Sequence, residues 1–88
     1  MAWQIEFRDS ALRELKKLDQ SVQRNILKYI KDRLINSENP EQFGKPLLGE
    51  MSGYWRYRIQ DYRIICVHDL AKHTIVVIRV AHRREVYD

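Results

Sequence analysis

The chain has 88 residues, 44% of them hydrophobic, with one cysteine and a formal charge of +4. That length bounds it to one domain, residues 1–88, in which nearly every apolar side chain must serve the core. A lone Cys66 excludes an intrachain disulfide and fits a reducing cytoplasm, and no apolar run is long enough to span a bilayer.

Trp3, Ile5 and Phe7 alternate with polar residues, which predicts a first strand with one buried face. Asp9 or Ser10 can cap a following helix that carries Leu12, Leu15 and Leu18 on one side. A second, longer helix opens at Asp19 or Ser21 with the stripe Val22, Ile26, Tyr29, Ile30 and Leu34. Residues 36–53 hold both prolines and all three glycines, lack periodicity and read as a loop. Three strands follow, over 54–59, 62–69 and 74–81, the last two rich in Ile and Val. The order β-α-α-β-β-β predicts an α+β fold: a mainly antiparallel four-stranded sheet with both N-terminal helices on one face.

Charge is uneven along the chain. Residues 1–44 carry eight basic and seven acidic side chains, and residues 45–88 carry eight and five. A basic second half points to an anionic partner. If Gln60-Asp61 is a hairpin turn, Arg58 faces Arg63 and Tyr57 faces Ile64, so Arg56, Arg58 and Arg63 share one sheet face. Trp55, Tyr57, Ile59, Tyr62 and Ile64 then take the other face, toward the helices. On the third strand, Arg63 pairs near Arg79, and Val77, Arg79, Ala81 and Arg83 join the arginine face. Two arginines directly opposite each other destabilise a strand pair by up to about 1 kcal/mol. A bound anion offsets that, because guanidinium forks match phosphate oxygens. The bland alternative is that the side chains splay apart into water, a reading that applies to Arg79 above all.

The chain's end, Ala81-His82-Arg83-Arg84-Glu85-Val86-Tyr87, adds proton-transfer chemistry. Beside several guanidiniums the phenolate of Tyr87 is favoured, whereas a near-terminal tyrosine elsewhere is a packing lid. His82 can carry protons near neutral pH, yet strict alternation points it away from Arg83, so a structural role stands beside the catalytic one. The three histidines lack zinc-site spacing, Cys66 lies within an apolar strand, and there is no glycine-rich phosphate loop.

In their order and spacing, several segments make the chain resemble the RelE toxins of prokaryotic toxin–antitoxin modules, within the wider RelE/ParE superfamily. They are Leu15-Lys16-Lys17-Leu18, Lys45-Pro46-Leu47-Leu48-Gly49, Trp55-Arg56-Tyr57-Arg58, Asp61-Tyr62-Arg63-Ile64-Ile65 and His82 to Tyr87. The resemblance implies a ribosome-dependent mRNA endoribonuclease without metal or other cofactor. In such toxins the ribose 2′-hydroxyl attacks the adjacent phosphate in the ribosomal A site, leaving a 2′,3′-cyclic phosphate and a 5′-hydroxyl. It further implies that Arg56, Arg58, Arg63, His82, Arg83 and Tyr87 form the site. Arg56 and Arg58 stand where members often have lysine. They are cast as charge stabilisers, because arginine keeps its proton, and the base is then Tyr87 or His82. Gln60 stands where the pattern usually has glycine. The implied partners are a cognate antitoxin, the ribosome and mRNA, with operator DNA reached only through the antitoxin and no membrane. The rival reading is a ParE-type toxin that poisons gyrase by protein contacts. A plain nucleic-acid-binding module is a third.

Overall fold

A computed structural model describes residues 2–86. Strand β1 (Gln4–Phe7) leads into helix α1 (Asp9–Lys16) and helix α2 (Gln20–Tyr29), which continues as a π-helical turn over Ile30–Ile35. Short strand β2 (Gly44–Pro46) precedes β3 (Tyr54–Ile59), β4 (Tyr62–Asp69) and β5 (Thr74–His82), and a 3-10 turn spans Arg83–Glu85. Among the described residues the sheet has five strands in the order β1-β5-β4-β3-β2. All neighbours are antiparallel except β1 with β5.

The α+β class and the two-helix face agree with the sequence, but the sheet has a fifth strand. β2 has only three residues and contains a proline, so it offers no alternation to read. It pairs with β3 at the sheet's edge, where a missing N–H is tolerated. Gly44 is needed there, because a Cβ would lie 2.7 Å from the Tyr57 ring.

Ala11 and Leu15 of α1 and Ile26, Ile30 and Leu34 of the second helix are buried against Tyr57, Ile59, Ile64, Cys66, Ile75, Val77 and Val80 of the sheet. Residues four apart drift round an α-helix, and the wider π-turn offsets that drift, which keeps both Ile30 (2% exposed) and Leu34 (0%) on the core. Each such burial stabilises by about 1.5–3 kcal/mol. Two helix details differ from the sequence reading. Ala11 rather than Leu12 faces inward, Leu12 being 36% exposed. The first cap position is Arg8 rather than Asp9 or Ser10, and Asp9 lies inside the first turn, where its charge complements the helix dipole; the second helix is capped at Asp19 as expected, without a side-chain cap bond. Among the described residues no helix is long and apolar enough to cross a membrane.

Register decides which side chains meet. The β3–β4 pairing is the expected one, with Arg58 opposite Arg63 and Tyr57 opposite Ile64. The β4–β5 pairing corrects the sequence reading. Arg63 faces Ala81 and Ile65 faces Arg79, and a bulge between Ile65 and Cys66 then shifts the ladder, so Cys66 faces Val77. One extra residue on β5 reverses the face of everything before it, which moves Val77 into the core at 0% exposure.

Candidate active site

The hairpin turn between β3 and β4 and the end of β5 lie at one end of the sheet, and the arginines gather there. Arg58 is exposed and directly opposite Arg63, on the face away from the helices. The Arg63 side chain folds back over the turn, with Nη1 donating to Gln60 O at 3.0 Å and to Tyr62 O at 2.9 Å. Arg63 is therefore 6% exposed, and Arg56, two residues before Arg58 on the same face, is 5% exposed. Burial on this face extends to Ile65, Val76 and Ala81, so it is less open than the alternation alone suggested.

Strand β5 ends at His82, and Arg83 opens the 3-10 turn rather than continuing the strand. Its backbone N–H donates to Asp61 O at 2.8 Å, and its Nη1 lies 3.3 Å from Asp61 Oδ1. Arg63 from β4 and Arg83 from the 3-10 turn thus reach the same three residues, 60–62, with Arg58 across the ladder from Arg63. A cleft of about 540 Å³ lies alongside, lined by Lys45, Pro46, Leu47, Leu48, Met51, Arg56 and Arg58. Guanidinium forks suit phosphate oxygens, so such a group can bind and stabilise negative charge.

His82 lies on the helix-side face, opposite Tyr62 in the ladder and edge-on to its ring at 5.4 Å. Its Nδ1 accepts from Arg84 N–H at 3.2 Å, and its own backbone N–H donates to Glu85 Oε1 at 3.3 Å, a reciprocal cap on the turn that carries Arg83. Arg79 is drawn away from the cluster. Glu14 of α1 accepts the Val80 N–H at 2.9 Å beyond the reach of β1, and its other oxygen lies 3.6 Å from Arg79 Nε. Tyr87 lies outside the described residues.

A second polar cluster escaped the sequence reading. At the far end of the sheet, on the helix side, the Tyr57 hydroxyl lies 2.8 Å from His68 Nε2. Glu41 Oε2 lies 3.5 Å from His68 Nδ1, a charge-pair distance without hydrogen-bond geometry. Trp55 stacks on His68 at 5.2 Å, and Trp3 stacks on His73 at 4.0 Å. Burial pushes the Tyr57 phenol well above its usual range and holds the His68 imidazole below its own, the latter opposed by Glu41. Burial likewise raises the Cys66 thiol, so it is an inert core residue.

The fold with this cationic end belongs to a known class. The profile of the ParE toxin of the type II toxin–antitoxin system parDE matches residues 5–87. Toxin RelG of Mycobacterium tuberculosis is 31% identical over 87 residues, covering 99% of this chain and 98% of its own. Toxin RelE of the same organism is 30% identical over 78 residues, covering 89% of this chain and 78% of its own. The toxin–antitoxin complex RelBE2 from M. tuberculosis contains a chain that superposes with a TM-score of 0.86 at 29% identity, covering 94% of this chain and all of that one. The archaeal RelE–RelB complex from Pyrococcus horikoshii OT3 matches with a TM-score of 0.72 at 21% identity over 98% of this chain and 100% of that one, a likeness of fold alone.

The protein is therefore a toxin of a type II toxin–antitoxin module. It belongs to the ParE toxin family, within the RelE/ParE superfamily.

Proposed function

We propose that this toxin is a ribosome-dependent endoribonuclease that cuts mRNA in the ribosomal A site. The observation that carries the reading is the meeting of Arg58, Arg63 and Arg83 around one hairpin turn. A gyrase poison acting through protein contacts has no need of such a cluster. Both curated relatives bear RelE-group names, which supports the same reading.

In this reaction the ribose 2′-oxygen bonds to the neighbouring phosphorus, and the bond to the 5′-oxygen breaks. Arg56, Arg58, Arg63 and Arg83 stabilise the charge that builds on the phosphoryl oxygens. Tyr87, four residues beyond Arg83, takes the 2′-hydroxyl proton as its phenolate, and the departing 5′-oxygen takes a proton from solvent water. His82 keeps the turn bearing Arg83 in shape. A cognate antitoxin, the partner type in the solved RelBE2 and archaeal complexes, holds the toxin inactive in the cytoplasm. An acidic segment suits the +4 chain.

Mapping RNA ends in a translating extract tests the proposal. Cuts phased to codons, ending in 2′,3′-cyclic phosphate and absent without ribosomes, are expected. Intact mRNA together with gyrase-dependent DNA breaks would replace the reading with its ParE-type rival.

A further inference from the structure

The turn beneath the arginines is built of acceptors. Gln60 O and Tyr62 O both receive Arg63 Nη1, and Asp61 offers its backbone oxygen to the Arg83 N–H and a carboxylate oxygen to the Arg83 guanidinium. Gln60 is left-handed, with φ 55°, a conformation that L side chains other than Asn and Asp seldom adopt. Its side-chain Oε1 accepts from Asn25 Nδ2 at 3.4 Å, which ties the turn to α2.

We propose that the Gln60–Tyr62 turn is a positioning device for the arginine cluster, with Asp61 as the positioning residue for Arg83. The inference rests on the ribonuclease reading and assigns a part to residues that need not touch RNA. The carbonyls at 60 and 62 fix the direction of Arg63. The oxygens of Asp61 fix Arg83, so both guanidiniums are anchored on three consecutive residues, 60–62. Stability alone does not account for the Asp61 carboxylate. Its pair with Arg83 is exposed on both sides, at 64% and 56%, and such pairs add little to folding. An acidic side chain among three arginines also opposes phosphate binding by charge. What the carboxylate gains is direction: it holds a long cation at the turn that Arg63 also contacts.

The test is Asp61→Asn, which keeps the backbone bond to the Arg83 N–H and removes the charge. Turnover on translating ribosomes should fall roughly 10- to 100-fold, as expected for a misplaced charge stabiliser. KM and the melting temperature should stay close to those of the parent. In the isolated toxin, nuclear magnetic resonance of the arginine side chains gives a readout that needs no ribosome. The Arg83 Nε–Hε signal should be restrained in the parent and averaged in Asp61→Asn. An Arg83 signal unaltered by the substitution overturns the proposal, whatever the activity. So does a fall in kcat matched by a fall in melting temperature. If the parent cuts no RNA, the ribonuclease reading fails, and the resonance comparison alone decides whether Asp61 orients Arg83.

Discussion

The two ends of the sheet hold histidine, tyrosine and charge in opposite ways. At the far end, Tyr57 and the His68 side chain are buried at 0% and 4% exposure, matched to each other and to Glu41, and walled by Trp3 and Trp55. Burial there suppresses ionisation of both groups. At the turn end, Arg58 and Arg83 are exposed while Arg63 is buried, its Nη1 donating to two backbone oxygens and the Arg83 guanidinium meeting the Asp61 carboxylate. The tyrosine–histidine–glutamate chain, which looks most catalytic on paper, is the buried one, and under the proposed function the arginine cluster is the one that meets a phosphate.

Substitutions at each end should separate along that line. Arg63→Ala or Arg83→Ala should cost roughly 100- to 1000-fold in RNA cleavage, the loss typical of a charge-stabilising donor. Their circular dichroism should match the parent, and an unfolded variant would refute the assignment. Leu34→Ala, at a site with 0% exposure, should destabilise by about 2–5 kcal/mol in chemical denaturation. Tyr57→Phe strands His68 Nε2 without its donor and should cost about 1–3 kcal/mol. Cleavage per folded molecule should stay within about twofold, since the Tyr57 hydroxyl bonds His68 on the face opposite the arginines.

Acid should act at the far end as well. In the unfolded chain His68 takes up its proton near the ordinary value of 6.5, whereas in the fold burial delays uptake to lower pH. The unfolded state therefore binds more protons below that value, and stability falls as pH falls, by at most about 1.4 kcal/mol per pH unit from this group. Melting curves between about pH 7.5 and 5.5 should show the loss, and His68→Gln should flatten it. The smallest effect belongs to Gln60→Gly. It relieves the left-handed backbone but loosens the unfolded chain, leaving a net gain of about 0.5 kcal/mol, readable as a small rise in melting temperature.

The sequence made β3 and β4 legible because Gln60-Asp61 marks a turn and alternation is unbroken on both sides of it. Every pair from Ile59–Tyr62 outward then follows by counting, and the shared face of Arg56, Arg58 and Arg63 with it. Nothing in Val76-Val77-Ile78-Arg79 announces a bulge, since every residue before Arg79 is an apolar strand former, so the pairing of Arg63 with Ala81 could not be counted. The Tyr57–His68 bond was hidden for another reason. Tyr57 faces Ile64, and its ring leans along the strand to reach a residue four positions further on, which pattern counting does not describe. Asp61 was read as a turn residue, and its hold on Arg83 depends on where β5 ends.

Strand β1 finds its partner only at residues 74–77. A nascent chain still held at residue 73 has helices α1 and α2 and the β3–β4 hairpin in hand, yet nothing to close its first strand against. Contacts this distant in sequence form slowly and late. Completion of the sheet must therefore wait until residues 74–77 have emerged, so the first strand synthesised is among the last to be paired.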